Sequence, residues 1–188
     1  SKSESSHKRK SSNSQSSSKV SARPKWELDV IGQPHRVIPL GMEVEASVMV
    51  SLRFPTVDRA NEGANVDTSR LVAVTSLVAD TRSGDRVPVE SSLLAGQKLF
   101  DSVHEIPQEH VETMERNQPC RVILGYFTFS GLVIRQAGTY RLRTTLLQMS
   151  GSGASQQGGT ALLAIDSESI KVERRPSNLQ RAQLRAHV

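Results

Sequence analysis

Two histidine–carboxylate pairs, His104-Glu105 and Glu109-His110, come nearest to a set able to hold a metal or move a proton. A zinc-binding helix needs its histidines four residues apart on one face, whereas these are six apart with Pro107 between them. The glycine-rich stretch Gly151 to Gly159 lacks the Gly-Lys-Ser/Thr ending through which a P-loop lysine reaches phosphate, so we read it as a connector. Cys120 follows Pro119 with no base nearby, which makes it an inert thiol rather than a nucleophile. On these residues we expect no enzyme, no metal or other cofactor, and no small-molecule substrate.

Binding chemistry has more to work with. The net charge of +5 divides unevenly: residues 1 to 26 carry +6, residues 171 to 188 carry +4, and the stretch between carries −5. Cationic character therefore sits in the tails, and a nucleic-acid argument from overall charge alone would misplace it. Within the first tail, Lys8, Arg9 and Lys10 form a short basic cluster of the kind import receptors read. Arg135, Arg141 and Arg143 form a second group; Arg141 and Arg143 share one strand face, open either to an acidic partner or simply to water.

These groups need elements to position them. Residues 1 to 23 are a Ser/Lys-rich tail with no large apolar side chain before Val20, a composition expected to stay disordered. From Trp26 the pattern becomes strand-like: Trp26 to Ile31, Val44 to Phe54, Arg70 to Ala79, Arg121 to Phe129, Leu132 to Arg135, Thr139 to Met149, Ala161 to Ile165 and Ser169 to Glu173. Val44, Ala46, Val48, Val50 and Leu52 alternate with Glu45, Ser47, Met49, Ser51 and Arg53, the period of a strand with one buried face. Ser83-Gly84-Asp85 is suited to a hairpin. Gln108 to Asn117, opened by Pro107, is suited to a short helix with Val111 and Met114 on one side. A second short helix is expected in the basic C-terminal segment 177–188, from Ser177 through Leu179 and Leu184. Gly138, two residues before Tyr140, fits an immunoglobulin-like tyrosine corner. The expectation is an all-β, immunoglobulin-like sandwich over residues 24–176 with one or two short helices.

No apolar run is long enough to cross a bilayer, and a single cysteine with no Asn-x-Ser/Thr sequon favours a reducing compartment, nucleus or cytosol. No membrane partner is expected.

Trp26 to Arg36, reading Trp-Glu-Leu-Asp-Val-Ile-Gly-Gln-Pro-His-Arg, together with Tyr126 to Phe129, Leu132 to Arg135 and Gly138 to Arg143, resembles the velvet domain of fungal developmental regulators. Leu93-Leu94-Ala95-Gly96 matches a third, shorter motif of that family. The resemblance covers most of Trp26 to Arg175 and implies a Rel-homology-like sandwich. It also implies a nuclear regulator of development, sporulation and secondary metabolism, possible shuttling with the cytoplasm, and pairing with other velvet proteins as a homo- or heterodimer. In that family a basic loop follows the Gln-Pro-x-Arg strand and is associated with promoter DNA. Here Glu43 and Glu45 stand in that loop, where carboxylates would repel phosphate. Arg23, Lys25, Arg36 and Arg53 remain as candidate DNA contacts, so DNA binding is expected to be weak or partner-dependent. Tyr126, Leu179 and Leu184 are the candidate partner contacts. Two rivals stay open: a sequence-specific DNA-binding velvet factor that uses tail cations, and an immunoglobulin-like scaffold or adhesion module.

Overall fold

A computed structural model describes residues 23–63, 66–151 and 158–174. Lys25–Gly32 (β1), Val37–Pro39 (β2) and Glu43–Arg53 (β3) lead into a short helix, Val57–Glu62 (α1). Leu71–Asp80 (β4) and Arg86–Pro88 (β5) follow. After one 3-10 turn come Leu94–Ala95 (β6) and Phe100–Ser102 (β7), then the helix Gln108–Asn117 (α2). Arg121–Ile134 (β8), Gly138–Met149 (β9), Gly159–Asp166 (β10) and Ile170–Glu173 (β11) complete the order. The expected tail with Lys8, Arg9 and Lys10, and the C-terminal segment with Leu179 and Leu184, lie outside the described residues.

The fold is an all-β sandwich of two curled sheets. The first runs β1-β3-β8-β6; the second runs β2-β11-β9-β4-β5, with β10 also on β9 and β7 also on β4. Alternation decides which side chains meet between them. Val44, Ala46, Val48 and Val50 of β3 point inward with Phe127 and Phe129 of β8, and face Leu77, Tyr140, Leu142 and Leu146 of the second sheet in one buried cluster. Phe127 is fully buried, so Phe127→Ala would cost about 3–5 kcal/mol through lost transfer energy and the cavity left behind. On one flank β1 packs against β10; on the other, His104 makes a two-bond bridge to Tyr126 and draws the β7 segment onto β8.

Two glycines are dictated by close approach. A Cβ at Gly125 (φ +151°) would stand 2.4 Å from the carbonyl oxygen of His104. At Gly138 a Cβ would meet the phenol of Tyr140 at 2.9 Å. Tyr140 is buried, and its hydroxyl donates to Ala137 O at 3.4 Å, the upstream backbone tie of a tyrosine corner. Burial pushes its phenol pKa up.

Several sequence boundaries shift. The runs Arg121 to Phe129 and Leu132 to Arg135 are one 14-residue strand, because Gly131 (φ +64°) lets a bulge absorb an extra residue opposite Val44 and Ala46. β2, β5, β6 and β7 are two or three residues long and were not expected; α1 also adds a helix, capped by the Thr56 hydroxyl accepting from Arg59 N at 3.2 Å. The helix over Gln108–Asn117 and the hairpin at Ser83 to Asp85 are present where expected, the latter closed by Thr81 N donating to Asp85 O.

Candidate partner and nucleic-acid interface

The four expected DNA contacts do not converge. Arg23, Lys25 and Arg53 lie at one end of the first sheet, where Lys25 sits opposite Arg53. Arg36 lies at the other end, beyond β1, and pairs with Glu168 at 3.3 Å while remaining 79% exposed. Arg53 is not available as a simple phosphate contact. Its guanidinium grips Glu27, with one bond at 3.1 Å and a second shorter one, and reaches Gln118 at 3.2 Å. The hydrogen bond from Arg53 holds the Glu27 carboxyl below the usual carboxylate range. Arg121 completes the network by bonding Asp29 and donating to Ser51 Oγ at 2.7 Å. Two guanidiniums are thus offset by two carboxylates on the outer face of the first sheet.

The loop that replaces the expected basic one runs from β2 into β3 and leaves Glu43 and Glu45 exposed. Arg141 and Arg143 do share the outer face of the second sheet, and both are engaged there. Arg141 binds Asp80 at 2.8 Å and the carbonyl of Ser167 at 3.1 Å. Arg143 forks onto Asp166 at 2.7 and 3.0 Å, and Arg86 joins the same carboxylate at 3.0 Å. With Arg143 and Arg86 donating, Asp166 is held below its ordinary pKa.

Tyr126, the aromatic expected at a partner interface, projects from the outer face of the first sheet. Its ring lies 5.3 Å from the His104 imidazole and is half-buried there. His104 in turn binds Asp101, whose buried carboxylate accepts from His104 Nε2 at 2.8 Å and from Thr128 N at 2.8 Å, with Lys98 Nζ at 3.5 Å. This is a clasp between β7 and β8: Lys98, Asp101 and His104 follow one another at three-residue spacing, but Thr128 and Tyr126 reach them only through tertiary pairing, which the sequence does not display.

A surface with no local sequence motif lies on the second sheet. Register places Phe100, Val74, Thr145 and Ala164 in one row across its outer face, and Ser102, Val72, Leu147 and Ala161 in the next. Directly opposed residues point to the same side of a sheet, so these rows form one mainly apolar face. Phe100 is 58% exposed with Lys98 Nζ 5.7 Å above its ring, and Val72, Val74 and Leu147 are only partly covered. The helix α2 packs on β8 instead. The signal was present in Leu71-Val72-Ala73-Val74, a run apolar on both faces, which in a sheet normally means that both faces are covered. Exposed apolar patches of this kind mark interaction surfaces.

No known family model matches the sequence, and no curated protein matches it.

Proposed function

We propose that the chain is a velvet-type regulatory subunit of the nucleus that works by pairing with another velvet-type protein and has little DNA affinity of its own. The observation that carries this reading is the apolar outer face of the second sheet around Val72, Val74, Phe100 and Leu147, which fits a protein partner. The cations of the described domain support the second half. Arg53, Arg141 and Arg143 are already bound to carboxylates, so few counterions are left for them to displace from DNA. The quoted motifs Trp26 to Arg36 and Tyr126 to Arg143 supply the family, and the sandwich is compatible with it.

Purification of the tagged full-length chain from its own organism tests the reading. Recovery of a velvet-type protein in stoichiometric amount, with duplex binding at physiological salt appearing only in the pair, is the expected outcome. Tight, sequence-specific duplex binding by the chain alone would favour the DNA-binding rival, and location at the cell surface would favour the adhesion module.

A further inference from the structure

We propose that a cavity at the outer edge of β4 is a binding site for a small neutral ligand, a ring of the size of phenol bearing one hydroxyl group. The cavity originates in the strand pairing. β5 accompanies β4 only as far as Pro88, opposite Val78, and β7 only from Phe100, opposite Val74, so neither lies beside Thr75 to Leu77. Single backbone bonds hold the linking chain to β4 at the two ends of that gap: Val89 N donates to Leu77 O at 3.4 Å, and Thr75 N donates to Leu99 O at 2.8 Å. Between these two points the chain crosses to the first sheet, where Leu94 pairs with Ile134 of β8. The detour leaves a cavity of about 150 Å³ walled mainly by Leu77, Val78, Val89, Leu94 and Leu99.

Thr75 gives this wall its specific chemistry. It lies on the inward side of β4 between Ala73 and Leu77, is only 3% exposed, and lines the cavity together with the apolar residues. Its hydroxyl oxygen is buried and bonds no group among the described residues. Buried hydroxyls are nearly always hydrogen-bonded, so an unpaired one in a cavity wall marks where the polar group of a ligand fits. A largely apolar cavity of about 150 Å³ is also the size that admits a benzene ring. The mouth decides the charge class. Glu90 and Ser91 are exposed there, and the Arg143 guanidinium that borders it is forked onto Asp166. The lining thus offers no surplus cation to receive an anion, and Glu90 would repel one. A neutral ring fits, its hydroxyl turned to Thr75 and its carbons against the leucines and valines.

The test titrates the isotope-labelled full chain with phenol and, separately, with benzene, and follows amide chemical shifts. Saturable movement of amides in 75–78 and 89–99, with those of β1 and β3 unchanged, is expected. For so small a ligand the dissociation constant should be on the order of 1 mM. Thr75→Val keeps the shape of the side chain and removes the hydroxyl, so it should shift the ratio of phenol to benzene affinity toward benzene by about 3–10-fold, the worth of one hydrogen bond. Thr75→Ser keeps the hydroxyl and should leave phenol preferred as in the parent. Benzoate should bind about tenfold more weakly than phenol, because its carboxylate would have to shed water beside Glu90. Absence of a saturable phenol shift in the parent, or shifts confined to other parts of the molecule, would overturn the proposal. A phenol-to-benzene ratio indifferent to Thr75→Val, or benzoate binding as tightly as phenol, would overturn it too.

Discussion

Asp101 ties the two sheets together. It lies on β7, a strand of the second sheet, yet it accepts a hydrogen bond from the Thr128 amide of β8 in the first. Its removal leaves the part-buried Thr128 amide and the His104 ring without this acceptor. Asp101→Ala should therefore destabilise by about 2–4 kcal/mol, and Asp101→Asn by less because one acceptor oxygen remains. An unchanged urea midpoint in Asp101→Ala would show that the clasp contributes nothing. Tyr140 offers a complementary comparison. Its ring fills the core and its hydroxyl bond at 3.4 Å is long, so Tyr140→Ala should cost about 3–5 kcal/mol and Tyr140→Phe under about 1 kcal/mol. Similar losses in both would place the stabilisation in the hydroxyl rather than in packing.

At the scale of elements, the outer face of the second sheet is held in register by ionised side chains. Asp166 of β10 binds Arg143, its register partner on β9, and Arg86 of β5, and the second contact joins β10 to a strand with which its backbone does not pair. Its folded pKa lies below that of the unfolded chain. The stabilisation is thus present above the unfolded carboxylate value, near 4, and is lost as pH falls through the folded value. Asp166→Asn should lower stability at neutral pH and flatten the acid limb of the stability–pH curve; an acid limb identical to that of the parent would contradict this assignment. Much at this scale was legible beforehand. The helix opened by Pro107 and the Gly138–Tyr140 corner are local patterns that the structure contains, and the alternation of β3 holds from Glu43 to Val48, whereas Met49 and Ser51, expected on its wet face, are buried. The short strands β2, β5, β6 and β7 were not legible, since strands of two or three residues exist only through the longer neighbours they pair with. The join of Phe129 to Leu132 was hidden because Gly131 reads as a turn residue whether it closes a hairpin or forms a bulge. Arg53 looked free for phosphate because the register that sets β1 beside β3 and brings it to Glu27 is tertiary information.

Over the whole molecule, charge is segregated: the tails are basic and the stretch between them is acidic. Duplex binding by the full chain should depend on the tail. Lys8→Ala, Arg9→Ala, Lys10→Ala should make the slope of log affinity against log salt shallower by about 3, roughly one counterion per cation removed. Arg53→Ala should leave that slope nearly unchanged, because Glu27 already neutralises the guanidinium. A larger effect of Arg53 than of the tail would return DNA contact to the end of the first sheet. The outward Val72 and Val74 of β4 are apolar, but a sequence does not say whether a second layer covers them. The apolar face around Phe100 is apparent only once α2 is placed on β8. Pairing through that face is measured by light scattering of the full chain at micromolar concentration, alone and mixed with velvet-type proteins of the same organism. A dimer mass is expected in at least one of these samples, lost in a Phe100→Glu variant that keeps the parent's thermal midpoint. A monomer mass in every sample, or a dimer indifferent to Phe100→Glu, would contradict it.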